Sequence, residues 1–331
     1  MHEDGDRASP LNIPRYDNPF ADWSGCSDFE RHVAECLRVD GFCVFDFPDD
    51  QIARHAEQIQ RTLEPVLAQG SRKRLQDMTD CGSVREIAAN TEILQLLETV
   101  YGRPAFPFQT LNFRVGTEQT LHSDHVHFDS LPHRFMAGVW VALEDMDEDN
   151  GPLFYYPGSH RWPALYNLEV GVHQDTDTMD HYHRFTEAWA QYATFYGVEP
   201  ERFRAKQGQC LIWTSNLVHG GSRQLDRTRT RWSQVTHYYF ADCAYYTPVY
   251  SNPSAHKFFW RDVKDLRTGQ RVVNRVNGHA VGQSPVNATS LSLLEFEADR
   301  YLELNPDVER DGVNPYEHFI TCGIREGRQF R

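Results

Sequence analysis

Over roughly the first hundred residues, apolar side chains recur at intervals of three and four; from about residue 106 they alternate with polar ones. The first spacing is one face of a helix and the second one face of a strand. SDFERHVAECLRVDGF predicts a helix capped by Ser27 or Asp28, with Phe29, Val33 and Leu37 on one stripe and Gly41 as terminator. FCVFDF is a short strand. PDDQIARHAEQIQRTLEPVLAQG predicts a second helix, opened by Pro48 and two acids and closed by Gly70, and SVREIAANTEILQLLETVYG a third. Beyond them FQTLNFRV, TLHSDHVHF, FMAGVWVALED, LFYYPGS, QCLIWTS and RWSQVTHYYF read as strands, with turn signals at Gly116, DEDNGP, PGSH and HGGS. Many short strands behind a helical start predict a mainly β fold, a sandwich or barrel buttressed by helices.

Three segments break the pattern. Residues 1–25 form an irregular leader rich in Pro and Asp. Residues 161–206 interrupt the strands with an aromatic, helical stretch, a lid-like insertion within a main domain spanning 26–288. After the turn-rich NGHAVGQSPVNATS, residues 289–331 regain helical spacing as a small C-terminal module.

A chain of 331 residues, 40% hydrophobic and 13% aromatic, suits one large domain, or one domain plus an appendage. A net charge of −14 argues against a nucleic-acid partner, and the basic runs at Arg72–Arg74 and Arg227–Arg231 are short. The seven cysteines show no C-x-x-C and no familiar Cys/His zinc spacing, so free thiols in a reducing compartment are expected. MHEDGDRASPLNIPRYDNPF lacks the apolar core of a signal peptide, and the longest apolar run, FMAGVWVAL, falls short of a membrane span. A cytoplasmic protein without membrane insertion is the expectation.

The densest chemistry lies in TEQTLHSDHVHFDS, residues 117–130. On a strand His122 and Asp124 share one face, His127 and Asp129 the opposite one, and only the inward pair can chelate an ion at a barrel mouth. An imidazole and a carboxylate suit a borderline divalent ion such as Fe(II). His219, at the end of the apolar strand CLIWTSNLVHGGS, supplies a third ligand. Arg229 and Arg231 fall on one face of RTRTRWSQVTHYYF, where an inward arginine is costly unless it meets an anion, and Ser233 shares the face of Arg231. At this level both His-x-Asp pairs and both arginines stay open.

Taken in order, these motifs resemble the phytanoyl-CoA dioxygenase family of Fe(II)/2-oxoglutarate-dependent oxygenases. The resemblance runs from DGFCVFDF through GTEQTLHSD, WVALEDMDEDNGPLFYYPGSH and LVHGG to TRWSQVTHYYF, roughly residues 27–250. It implies a double-stranded β-helix, a jelly-roll or cupin-like barrel. It also implies His122 and Asp124 as ligands, because the family's glutamine three residues upstream is matched by Gln119, with His219 as the distal histidine. The family's co-substrate arginine, followed by x-Ser, maps to Arg231 and Ser233; it stands twelve residues past His219 rather than ten or eleven, which keeps Arg229 as the alternative. Asn112 and Trp140 are expected beside the co-substrate. His127, Tyr155 and His160 are candidates for the substrate side, and His181 and His183 for the surface of the insertion.

The implied chemistry consumes O2 and 2-oxoglutarate, releases succinate and CO2, and places a hydroxyl on a small-molecule or carrier-bound substrate. Related halogenating enzymes lack the carboxylate ligand, so Asp124 implies hydroxylation. The aromatic insertion, with Tyr166, Trp162, Tyr182 and Trp189, suggests an apolar or ring-bearing substrate. The alternative is a non-catalytic cupin-like barrel that binds a ligand or sugar; it has no need of both a metal and an anion site. The tail, YLELNPDVERDGVNPYEHFITCGIREGR, resembles a short module at the ends of bacterial surface-polysaccharide and secreted proteins, which implies a bacterial source.

Overall fold

The computed structural model describes residues 11–68, 74–172, 182–255, 257–281, 298–310, 315–319 and 328. Ser27 caps α1 (Asp28–Val39): its hydroxyl accepts the Glu30 N–H while the Glu30 carboxylate accepts the Ser27 N–H, so two otherwise unpaired donors are satisfied reciprocally. Gly41, at φ 83°, turns the chain into β1 (Phe42–Asp46). α2 (Ile52–Leu67) and the short β2 (Arg74–Gln76) follow. The third expected helix is two, α3 (Gly82–Ala88) and α4 (Thr91–Tyr101). Asn90 divides them because its side chain accepts the Ile93 N–H, a bond that favours a helix start over a helix interior.

The strands are β3 (Ala105–Phe113), β4 (His122–Ser123), β5 (Asp129–Leu131), β6 (Met136–Ala142) and β7 (Leu153–Tyr155), then, after α5 (Tyr182–Tyr196), β8 (Glu201–Arg202), β9 (Gln209–Thr214), β10 (Val218–Gly221), β11 (Ser233–Phe240) and β12 (Ala244–Tyr246). They form antiparallel sheets, one ordered β1-β9-β6-β11-β3-β2 and one β4-β10-β7-β8, while β12 pairs with β5.

Period-2 alternation divides the core. Val139, Val141, Cys210, Ile212 and Tyr238 of the large sheet pack with Val33, Leu37, Ile59, Leu63, Val84 and Leu97 of the helices. Their sequence neighbours Trp140, Ala142, Leu211, Trp213, Leu111, Phe113 and Val235 point the other way and meet Tyr155 of the smaller sheet. Each such burial contributes about 1.5–3 kcal/mol. The helices therefore buttress one face of the large sheet, and the space between the two sheets is left for chemistry. This mainly β fold with buttressing helices is the class expected from the alternation.

In the insertion, Phe185 and Trp189 of α5 bury against Leu121, Val126, Val218 and Val249, which docks the helix beside β4 and β10. His181 lies outside the described residues, as does the 288/289 boundary. The tail contains α6 (Ala298–Leu304), α7 (Pro306–Arg310) and α8 (Pro315–His318), with Tyr301 edge-on to Phe319 at 5.4 Å. Among the described residues no helix is long and apolar enough to cross a membrane.

Candidate metal centre and co-substrate pocket

β4 and β10 pair with His122 directly opposite His219. Residues opposed in an antiparallel ladder share a face, and the two imidazoles sit with ring centres 4.2 Å apart. Their Nε2 atoms lie 3.8 and 4.0 Å from Asp124 Oδ1. The three donor atoms fall within 4.8 Å of one another.

The groups behind the triad orient it. His122 Nδ1 is 2.9 Å from the Thr120 carbonyl and His219 Nδ1 is 3.0 Å from the Leu217 carbonyl. A carbonyl only accepts, so each Nδ1 carries the hydrogen and each Nε2 keeps its lone pair for an ion. Burial and the adjacent His219 push the His122 imidazole down to about 3, which keeps it neutral. Burial pushes the Asp124 carboxyl up, but His219, His237, His122 and the Trp213 indole outweigh it and hold it below the usual range. Trp213 Nε1 donates to Asp124 Oδ2 at 2.8 Å, leaving Oδ1 toward the histidines. Trp213 can lie there because Gly138 faces it across the β6–β9 ladder; a Cβ at 138 would stand 2.3 Å from the indole.

Arg231 is 3% exposed, and its Nε and Nη1 have no hydrogen-bond partner. Its guanidinium lies 5.7 Å from the Trp140 ring centre and 5.8 Å from that of Phe113. Burial pushes it down to about 10, partly offset by Glu144, so it stays cationic at neutral pH. Ser233 Oγ, two residues on, is likewise buried and unpartnered. A buried cation with idle donors beside an idle hydroxyl is costly, and a carboxylate seated between them would satisfy both. Arg229 instead pairs with Asp147 at 2.7 Å and is partly exposed.

Several expectations need correction. The strand through 117–130 is short: β4 ends at Ser123, and Asp124 opens a 3-10 turn, so face parity does not carry on to His127 and Asp129. Asn112 opposes Gln234 and gives Nδ2 to its side chain at 3.1 Å, while Gln234 donates to the Val84 carbonyl of α3. It therefore sits on the helix side of the sheet, on the face opposite Trp140 and Phe113. His160 packs on Gly41, with Nε2 3.2 Å from the Arg38 carbonyl; it serves the α1–β1 corner rather than the substrate side. Tyr155 stands opposite His219 in the ladder and packs on Phe42 at 4.1 Å, within the apolar cluster that holds Trp140. Trp140 is buried beside the Arg231 guanidinium. His125 is turned away, bound to Ser123 Oγ and the Leu165 carbonyl. His127 Nε2 lies 3.2 Å from the hydroxyl of Tyr182, the first residue of α5. Burial and the Asp124 charge both push that hydroxyl's pKa up, which keeps it protonated beside the triad. His183 is exposed, as expected.

Two residues of the site were overlooked in the sequence. His237 Nε2 is 3.8 Å from Asp124 Oδ2 while its Nδ1 faces Gln109 Oε1 at 2.7 Å. Alternation from Arg231 through Ser233 and Val235 leads to it. Trp213 carried no comparable signal.

Asp129 is a structural hub. Its Oδ2 takes His133 Nδ1 at 2.8 Å and the hydroxyls of Tyr166 and Tyr246 at 3.1 and 3.2 Å; its Oδ1 accepts the Ser130 N–H. It thereby ties the insertion to β5 and β12. Asp129→Asn is expected to cost about 2–3 kcal/mol, several degrees of melting temperature, with iron affinity kept. Burial raises this carboxyl, but the His133 bond and charge outweigh that and lower it. Its stabilisation is thus full above the ordinary carboxylate range near pH ~4 and lost as pH falls through the depressed folded value. Melting curves beside an iron titration check this; lost iron affinity with unchanged stability would move Asp129 into the metal centre.

Known proteins share this architecture. The non-heme alpha-ketoglutarate-dependent carbocyclase SnoK from nogalamycin biosynthesis superposes with a TM-score of 0.52 at 16% identity, covering 65% of this chain and 86% of that one. The epimerase SnoN, in complex with Fe3+, alpha-ketoglutarate and nogalamycin RO, gives 0.51 at 20% identity over 66% and 86%. EctD from S. alaskensis, with 2-oxoglutarate and 5-hydroxyectoine, gives 0.52 at 20% identity over 71% and 85%. In sequence, the phytanoyl-CoA dioxygenase domain-containing protein 1 of Danio rerio is 46% identical over 46 residues, 14% of this chain and only 16% of that relative's length. The phytanoyl-CoA dioxygenase family model matches residues 31–229, more than half of the chain, a span that contains all three triad residues and stops just before Arg231. By that match the chain belongs to the phytanoyl-CoA dioxygenase family of iron- and 2-oxoglutarate-dependent oxygenases.

Proposed function

We propose that the chain hydroxylates a small-molecule or carrier-bound substrate, with Fe(II) on His122, Asp124 and His219 and with 2-oxoglutarate anchored by Arg231. The observation that carries this is Arg231: a buried guanidinium with idle donors next to the idle Ser233 hydroxyl, in the same interior as two imidazoles and a carboxylate. Two histidines and one carboxylate are a donor set that suits Fe(II) and leaves positions open. Bound iron would supply O2 activation coupled to decarboxylation of the oxo acid.

The protein's own groups do the rest. Arg231 and Ser233 bind the far carboxylate of 2-oxoglutarate through charge-assisted bonds. Trp140 and Phe113 wall that end of the pocket and exclude water. Trp213 and the Thr120 and Leu217 carbonyls keep the ligands aimed without reorganisation. His127 and Tyr182 line the substrate side, where their shared hydrogen bond can present a donor to substrate. Asp124 favours hydroxylation over halogenation, because its carboxylate fills the space a halide would need.

A non-catalytic ligand-binding barrel is the second reading, and the paired metal and anion sites speak against it. The catalytic unit spans 26–288, with 161–206 covering the substrate side and 289–331 as an appended module of bacterial type. The free cysteines of the described residues fit a reducing, cytoplasmic setting. Iron-dependent turnover of 2-oxoglutarate under 18O2 tests the activity: one label in succinate and one in the substrate is expected. No succinate overturns the enzyme; labelled succinate with unlabelled, altered substrate overturns hydroxylation.

A further inference from the structure

A second group of side chains among the described residues has the spacing of a metal centre: His32 and Cys36 of α1 and Cys43 of β1. His32 and Cys36, four residues apart, share one face of the helix. The left-handed turn at Gly41 folds β1 back along that face and brings up Cys43. Cys36 Sγ is 3.6 Å from His32 Nε2, and the three donor atoms lie within 4.8 Å of one another. Tetrahedral zinc, with Zn–N roughly 2.0 Å and Zn–S roughly 2.3 Å, sets an N···S edge of roughly 3.6 Å. Both sulfurs are free thiols.

Accessibility is graded. Cys43 is buried, Cys36 half-buried and His32 exposed, so an ion enters from solvent onto a buried anchor. Burial, with a smaller push from the Asp40 carboxylate, holds both sulfurs as protonated thiols, so an ion must displace two protons on entering. The H-x3-C-x6-C spacing escapes a search for familiar zinc patterns because it combines a helix face with a strand reached through a glycine turn.

We propose that His32, Cys36 and Cys43 bind a soft divalent cation of the zinc class, separate from the iron centre, with a fourth position left to solvent. Two thiolates and an imidazole suit such a soft ion better than the carboxylate-containing triad does. On binding, each thiol gives its proton to solvent, and the ion gains two sulfur bonds and one nitrogen bond. The ion staples α1 to β1 at the corner where His160 packs on Gly41.

Cobalt(II), added to the full chain stripped of metal, reports on this site alone, because a thiolate-to-cobalt charge-transfer band in the near ultraviolet needs sulfur ligands. One equivalent should develop the band and zinc should bleach it. Cys36→Ser, at a half-buried position that tolerates the change, should lose the band and weaken zinc roughly a hundredfold or more. Cys43→Ala should do the same, and His122→Ala should keep the band. No band in the wild-type chain, or a band that survives both cysteine variants, overturns the proposal.

Discussion

Asp124→Ala is expected to abolish 2-oxoglutarate decarboxylation and to weaken Fe(II) by more than the 10–100-fold typical of losing a group behind a metal ligand. The substitution removes the one anionic donor and leaves His122 and His219 as a neutral pair. It also strands the Trp213 N–H, which now donates to Oδ2 inside the sheet. Asp124→Asn separates the two effects: it keeps the shape and an oxygen for the indole but removes the charge, so it should fold as well as the wild type and still bind iron poorly. Anaerobic iron titration and succinate formation are the measurements. Full turnover in Asp124→Ala would overturn the ligand assignment.

Arg231→Ala is expected to raise the 2-oxoglutarate requirement roughly a hundredfold, on the order of 3 kcal/mol for a lost charge-assisted bidentate contact, with iron affinity nearly unchanged. Arg231→Lys should rescue only part, because an ammonium lacks the planar fork. Arg229→Ala should change little, since Arg229 spends its charge on Asp147 at the surface. The concentration dependence of decarboxylation in the three variants decides. If Arg229→Ala raises the apparent constant and Arg231→Ala does not, the co-substrate is held elsewhere.

Much of this was legible in the chain. Alternation across the six large-sheet and barrel segments announced a helix-backed β fold, because a sheet with two different faces must write both into every strand. The triad was legible from motif order rather than from strand parity, which fails after Ser123 where the chain turns into a 3-10 helix. Parity serves well on long strands: it links Arg231 to Ser233 and on to His237. It failed at Asn112, where knowing the period did not tell which face was which; only the pairing with Gln234 and α3 settles that. Trp213, Tyr182 and the cluster of His32, Cys36 and Cys43 depend on contacts between distant segments, which no local period records. His160 stood out in PGSH for its neighbours, yet its ring answers to the space above Gly41.

His122 and His219, the proposed ligands, face each other across a ladder only two residues long, at the edge of the smaller sheet. So short a pairing has little cohesion of its own, and an ion gripping both rungs would act as its clasp. Loading the centre and closing that edge would then be one thermodynamic event: iron released at the bench is also a seam left to fray.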